Sequence, residues 1–351
     1  MTKTKVLQVG PLPPPIGGIS TFIDNLRKYA DMDVELDYFN IFPKKDKPLN
    51  KKVFNLVVLF KYFFYLLWKK PDIVHIHTAG YRAFTKSSYF VKISKWLNKK
   101  VILHVHSGRF MEYYDEAGAS TKKMVIDTFE ASDRVVCLSE SWKQRFTETF
   151  PVDSAKYEVI PNAIFAEEFE EIRPAFSYDS KTVLYVGKLS ENKGIYDIVE
   201  MAKKLKDDDS IQFRLMGDGP LKSYVEHEAN QHDLNIELLG SLSGKAKIRQ
   251  FDQADIFLLP SYFEGLSITV LEAMAAGLVV LTTKVGALPD VVEDGRAGHL
   301  FEPGDVDGFT RQLSSLSQEE MERISSYNIE EAKEYSFDRL LERLERLYRV
   351  L

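Results

Sequence analysis

Short apolar runs rich in β-branched residues alternate with longer helical patterns along this sequence, and few folds tolerate that alternation. Lys5–Val9, Val34–Phe39, Ile73–Ile76, Val101–Val105, Val135–Leu138 and Tyr157–Ile160 read as strands. So do Thr182–Val186, Gln212–Met216, Ile236–Leu239, Ile256–Leu259 and Val279–Thr282. Helical periodicity fills the intervals, for example over Ser20–Tyr29, Lys122–Ala131, Ile195–Lys206 and Leu221–Gln231. A strand followed by a helix of this length returns as a parallel neighbour, so the pattern predicts an α/β chain with doubly wound parallel sheets. Eleven strands are too many for one compact sheet, and 351 residues suffice for two domains. The series breaks once, in the irregular stretch 161–180 with Pro161 and Pro174. We expect two Rossmann-like domains facing across a cleft, 1–163 and 164–336. The amphipathic helix 337–351, with Leu340, Leu341, Leu344, Leu347 and Tyr348 on one face, is expected to pack back on the first.

Composition matters here mainly through charge. A formal net charge of −6 hides a reversal: residues 1–160 carry 25 basic and 17 acidic residues, and the remainder 21 and 35. The whole chain is therefore no polycation built for nucleic acid, and its halves are suited to different partners. Within 44–100 there are 14 basic residues against Asp46 and Asp72. The lone cysteine, Cys137, reads as an inert core residue and fits a reducing compartment. No secretory signal pattern follows Met1, and the apolar run Val53–Trp68 contains Asn55 and Lys61 and falls short of the roughly 20 residues a bilayer span needs. That run is expected to be a core crossover helix with lysines at its exposed end. Around it, Tyr81, Phe84, Tyr89, Phe90 and Trp96 interleave with basic residues, the composition of a membrane-interface surface. We expect a cytoplasmic protein in peripheral contact with the inner, anionic face of the membrane.

Three strand-end turns carry chemistry. The run from Ser261 to Gly277, SYFEGLSITVLEAMAAG, places Glu264 and Gly265 on a loop and opens a helix near Ser267. In a doubly wound sheet such a turn is where ligands bind. Gly265 lets backbone approach, Ser267 is placed to cap the helix, and the helix start offers free N–H groups to an anion. Glu264 and Glu272, eight residues apart, flank that anion and can accept from hydroxyls on either side, the layout of a sugar nucleotide. The second turn, Val186 to Gly194, brings Lys188 and Lys193 to a strand end as point charges for phosphate oxygens. The third is Gly217-Asp218-Gly219-Pro220. A dehydrogenase would use Gly-x-Gly-x-x-Gly at its first turn, with an acid such as Asp37 on the ribose. The first turn here, Gly10 to Gly18, lacks that spacing.

As a set these motifs resemble the retaining GT-B glycosyltransferases of family 4, also called glycosyl transferases group 1, and in particular bacterial polysaccharide- and capsule-type enzymes. Glu264…Glu272 matches the Glu-x7-Glu element, and Gly187-Lys188-Leu189…Lys193-Gly194 matches the Gly-Arg-Leu…Lys-Gly loop. Further family segments stand in order at 14–20, 71–77, 104–108 and 159–162. The resemblance implies that Glu272 holds the ribose hydroxyls, while Glu264, Gly265, Leu266 and Ser267 contact the donor sugar and phosphate. It implies that Lys188 and Lys193 neutralise the diphosphate, with Gly217 in the same loop cluster, and that Gly17 and Gly18 close over it. His106 matches the histidine beside the donor sugar, so His106 and Glu264 orient the sugar and tune its charge. Lys188 departs from the usual Arg and loses the bidentate fork. The implied reaction moves a sugar from a nucleoside-diphosphate sugar to a glycan or lipid-linked acceptor with retention, in cell-surface polysaccharide synthesis. It needs no metal and no other cofactor. A GT-B sugar-nucleotide epimerase and a non-catalytic GT-B partner are the alternatives. His75, His77 and His104 are read as satisfied polar residues rather than metal ligands.

Overall fold

The structure is a computed structural model describing residues 3–14, 17–42, 51–172, 174, 176 and 180–351, with 51–54 described by backbone alone. Lys44, Lys45 and Lys47 of the basic stretch, and Pro15 and Ile16 of the first glycine turn, lie outside the described residues.

In the first compact unit, Met1–Asn162 with Asp338–Leu351, six strands pair in parallel. They are β1 (Thr4–Gly10), β2 (Val34–Asn40), β3 (Ile73–Thr78), β4 (Lys100–Val105), β5 (Arg134–Cys137) and β6 (Tyr157–Val159). Their order is β2-β1-β3-β4-β5-β6. The second unit, Ala163–Phe337, holds β7 (Lys181–Val186), β8 (Ile211–Met216), β9 (Ile236–Gly240), β10 (Ile256–Leu259), β11 (Val279–Thr283) and β12 (Gly298–Phe301). These run β12-β11-β10-β7-β8-β9. Each sheet therefore reverses its winding once, between β1 and β3 and between β7 and β10. At such a point the loops leaving the two strands part to opposite faces and leave a crevice at the carboxyl ends. The motif turns after β7 and β10 both open there.

β12 has no counterpart among the expected strands. Its four residues, Gly-His-Leu-Phe, carry no β-branched signal. Gly298 has φ +157°, and a Cβ there would stand 1.9 Å from the Val280 carbonyl oxygen, so the strand forms by close backbone approach to β11.

The terminal helix Phe337–Arg349 belongs to the first unit from Asp338 on, and Leu340, Leu344, Leu347 and Tyr348 are buried on it. The helix Lys51–Lys69 departs from expectation. One face, Val58, Tyr62 and Leu66, is buried, and Tyr62 hydrogen-bonds Ser94 across to the helix Arg82–Trp96. The opposite face is apolar as well, and it faces outward: Leu56 is 70 % exposed, Phe60 66 % and Trp68 73 %, with Phe64 and Leu67 beside them. A helix that is hydrophobic all round meets protein on one side only. None of the helices among the described residues is long and apolar enough to cross a membrane.

Leu344 is fully buried in the terminal helix. Leu344→Ala should cost about 2–5 kcal/mol, read as a lowered urea midpoint.

Candidate functional site

In the second unit, two glycines draw the site loops onto one another. Gly217, at the end of β8, has φ +150°, and a Cβ would fall 1.8 Å from the Gly187 carbonyl oxygen. Gly194 has φ +71° and presses on the Pro260 carbonyl, so the loop after β7 seats on the loop after β10. The Tyr185 hydroxyl donates to the Lys188 carbonyl oxygen at 2.8 Å and shapes the first turn. Lys188 itself is exposed.

This seating brings Lys193 to Glu264. The ammonium pairs with Oε1 at 2.5 Å, and the Ser261 hydroxyl donates to the same oxygen at 2.8 Å. Glu264 is buried, so Lys193 is committed to an acid rather than standing free as a phosphate ligand; an ammonium still has two further N–H donors. Gly265 is held through its carbonyl oxygen by Ala287 N–H at 2.8 Å, and Leu266 is buried behind it.

Ser267 occupies the N-cap position of the helix Ile268–Ala275 but does not cap it with its side chain. Its hydroxyl pairs with Thr269 Oγ1 at 3.0 Å instead, which corrects the expected role. The first N–H groups of that helix consequently receive no side-chain cap, the arrangement that favours an anion.

Within the same helix, Glu272 Oε1 pairs with Lys247 Nζ at 2.5 Å, while Oε2 is buried without a partner. Burial pushes this carboxyl above its ordinary value, and Lys247 pulls it back. Lys247 is not among the residues that the sequence singles out. It stands in the helix Gly244–Asp252, and nothing local in the sequence pairs it with an acid 25 positions away.

The remaining expected residues lie in the first unit. Gly17 is extended at the N-cap of the helix Gly18–Tyr29, where its N–H donates to Ser20 Oγ at 2.8 Å. His75 and His77 on β3 and His104 and His106 on β4 form one cluster. His77 Nδ1 lies 3.0 Å from His106 Nε2, and His75 Nε2 lies 3.3 Å from His104 Nδ1. Burial holds all four far below the ordinary imidazole range, His75 and His106 at about 3, so the rings are neutral at physiological pH. The expectation that His104 is satisfied fails. Its Nε2 is buried without a partner, and the Phe22 ring packed edge-on at 5.4 Å supplies no lone pair. His75, His77 and His104 bring nitrogens within 4.8 Å of one another, but both ring nitrogens of His75 and of His77 are already taken up by Tyr348, His104, His106 and Gln8. Asp37 is taken up by Lys69 and the Tyr65 hydroxyl, both at 2.9 Å. Cys137 is buried, its thiol pushed up to about 12 by that burial.

Residues 16–168 match the family Glycosyltransferase Family 4, and residues 167–334 match Glycosyl transferases group 1. Among curated relatives, a 2-deoxystreptamine N-acetyl-D-glucosaminyltransferase of Niallia circulans is 27% identical over 70% of this chain and 67% of its own. A phosphatidylinositol N-acetylglucosaminyltransferase gpi3 subunit of Schizosaccharomyces pombe is 26% identical over 67% of this chain and 53% of its own. The chain thus spans about half to two thirds of the length of such relatives. Among solved structures, Anabaena Alr3699/HepE in complex with UDP superposes with a TM-score of 0.78 at 15% identity, covering 99% of this chain and 100% of that one. The lipopolysaccharide outer core galactosyltransferase WaaB does so with a TM-score of 0.76 at 17% identity over 99% and 100%. These two likenesses establish the fold.

Removing the cation beside Glu272 leaves a buried, unpaired charge. Lys247→Met should cost about 3–5 kcal/mol near neutral pH. A carboxylate whose folded pKa is raised takes up its proton more readily when folded, so the loss should shrink as the pH falls toward and below that value. Urea unfolding of both proteins at neutral and acidic pH measures the difference.

Proposed function

Since the chain belongs to the GT-B glycosyltransferases, with family 4 and group 1 halves in sequence, we propose that it transfers a hexosyl or N-acetylhexosaminyl group from a nucleoside-diphosphate sugar to an acceptor hydroxyl, with retention of anomeric configuration. The observation that carries this reading is the unpartnered, buried Oε2 of Glu272 in the Glu264…Glu272 element. A buried carboxylate oxygen without a donor is costly, and a ribose hydroxyl supplies the missing donor. The sugar-transferring relatives and the UDP-bound fold neighbour support the same reading.

Bond breaking places negative charge on the leaving diphosphate and positive charge on the sugar. Pre-placed groups that meet the diphosphate lower the barrier: Lys188, the free donors of Lys193, and the uncapped helix start at Ser267–Ile268. Gly217, Gly265 and Leu266 shape the backbone there, and by motif order Gly17 and Gly18 also serve the diphosphate. Glu264 and His106 orient the sugar. The acceptor oxygen forms the new bond to the anomeric carbon as the diphosphate oxygen leaves, and that oxygen takes the acceptor proton. No protein nucleophile and no metal enters this scheme.

The acceptor is assigned to a lipid-linked glycan, on the strength of the outward apolar face of the helix Lys51–Lys69. Phe63 stacks on Trp96 at 5.6 Å, joining that face to the helix Arg82–Trp96, where Tyr89, Lys92 and Trp96 are exposed one and two turns apart. Aromatic and aliphatic side chains flanked by Lys61, Lys70 and Lys92 suit an anionic bilayer surface. A role in cell-surface polysaccharide synthesis follows from such an acceptor.

Glu272→Ala should lower turnover of the accepted donor about 10- to 100-fold, and Lys193→Ala about 100- to 1,000-fold. Chromatography of the products decides the class: a glycosylated acceptor plus nucleoside diphosphate is expected, an epimerised donor marks an epimerase, and no turnover of any donor marks a non-catalytic partner. In sedimentation with phosphatidylglycerol vesicles at low salt, the wild type should co-pellet. The double variant Phe60→Ser, Trp68→Ser should stay in solution, and wild type left in the supernatant would remove the membrane assignment.

A further inference from the structure

Gln8, in the middle of β1, is fully buried and touches two elements at once. Its amide N–H donates to the Tyr348 hydroxyl at 2.8 Å, and its carbonyl oxygen lies 2.8 Å from His77 Nε2. Tyr348 comes from the terminal helix, and its hydroxyl also meets His75 Nδ1 at 2.8 Å. Hydrogen bonds thus run without interruption from the terminal helix to His106: Tyr348, Gln8, His77, His106.

In neutral imidazoles each ring has one N–H and one lone pair, so donors and acceptors along this chain are linked. A carbonyl oxygen only accepts, so His77 Nε2 carries the hydrogen and donates to Gln8. His77 Nδ1 is then a lone pair, and the hydrogen between the two rings belongs to His106 Nε2. His106 is left with Nδ1 as an acceptor, the ring atom outside the chain. On the other branch the Tyr348 hydroxyl, having accepted from Gln8, donates to His75 Nδ1. His75 Nε2 donates in turn to His104 Nδ1, which puts the remaining hydrogen on the buried, unpartnered His104 Nε2.

We infer that Gln8 and Tyr348 are positioning residues for sugar transfer: they hold His106 in the Nε2–H tautomer, so that it presents Nδ1 as an acceptor for a hydroxyl of the donor sugar. The inference rests on the assignment of His106 to the sugar, but the tautomer can be measured without any substrate. The amide of Gln8 is the element that sets direction. Turned end for end, it would donate to His77 Nε2, reverse both ring–ring hydrogen bonds, and make His106 Nε2 the acceptor. Tyr348 opposes that turn: with its one hydrogen donated to His75 Nδ1, a turned amide would bring the Gln8 carbonyl oxygen against the hydroxyl oxygen, two acceptors in contact.

The test uses the full chain labelled with ¹⁵N at the histidine rings, with long-range proton–nitrogen NMR assigning the protonated nitrogen. Wild type should show His106 protonated at Nε2. Gln8→Met, which keeps the volume and removes both polar ends, and Tyr348→Phe should each convert that single tautomer into a mixture. Turnover should fall about 10- to 100-fold with the donor KM changed far less. A purely packing role predicts an unchanged tautomer in both variants, with loss of stability only. His106 protonated at Nδ1 in wild type, or held at Nε2 in Gln8→Met, would overturn the inference. Circular dichroism on the same samples shows that each variant is folded; if one is not, the wild-type spectrum and the other variant decide. Full turnover by His106→Ala, by contrast, would remove the assignment of His106 to the sugar and leave the tautomer result standing.

Discussion

A parallel strand can be reached only by carrying the chain back over the sheet, and the architecture of both units follows from that constraint. Each crossover helix must bury one face on the strands, and each sheet is buried on both sides. The winding reverses once per sheet, so loops separate at one place in each, and the residues with chemistry gather where they separate. Lys188, Lys193, Glu264 and Glu272 are remote in sequence, yet all leave the carboxyl ends of β7 and β10 or the helix that follows. The glycines at 194 and 217 close the remaining gap, because backbone can approach backbone there only without a Cβ.

Charge is managed locally inside a half that is acidic overall. Glu264 and Glu272 are each held by one lysine, Lys193 and Lys247. Two part-buried acid–base pairs contribute little net stability of their own, because desolvation offsets much of their attraction. Their value is positional: they hold carboxylates in a fixed orientation where an unpaired one would take up a proton or turn to solvent. The net charge of the half says nothing of this, since the relevant groups lie within a few ångströms of one another.

Much of this was legible in the sequence. Eleven of the twelve strands among the described residues follow from apolar runs rich in β-branched residues. The site loops follow from glycines and charges placed where such runs end. What was not legible depends on neighbours distant in sequence. Lys247 meets Glu272 only through tertiary packing, and Ser267 has the composition of a cap but prefers the nearer Thr269 hydroxyl. β12 is recruited by the backbone of β11 rather than by its own side chains. The helix Lys51–Lys69 reads as core because it precedes a strand as a crossover helix does, and with apolar residues on opposite faces periodicity cannot tell which face has a partner. The histidines stand two apart on β3 and on β4, but nothing local in the sequence shows that they meet across those strands or that Gln8 and Tyr348 enclose them.

The terminal helix adds a consequence in time. The first unit has all six of its strands once Val159 is made, but the helix that covers Gln8 and His75 lies beyond the whole of the second unit. At about 5–20 residues per second, the roughly 175 intervening residues take on the order of ten to thirty seconds to synthesise. During that interval the first sheet carries its buried glutamine and histidines without their tyrosine. The first sheet is therefore complete in sequence well before the helix that covers its polar seam, and Gln8 and His75 gain their tyrosine only after the second unit has been made.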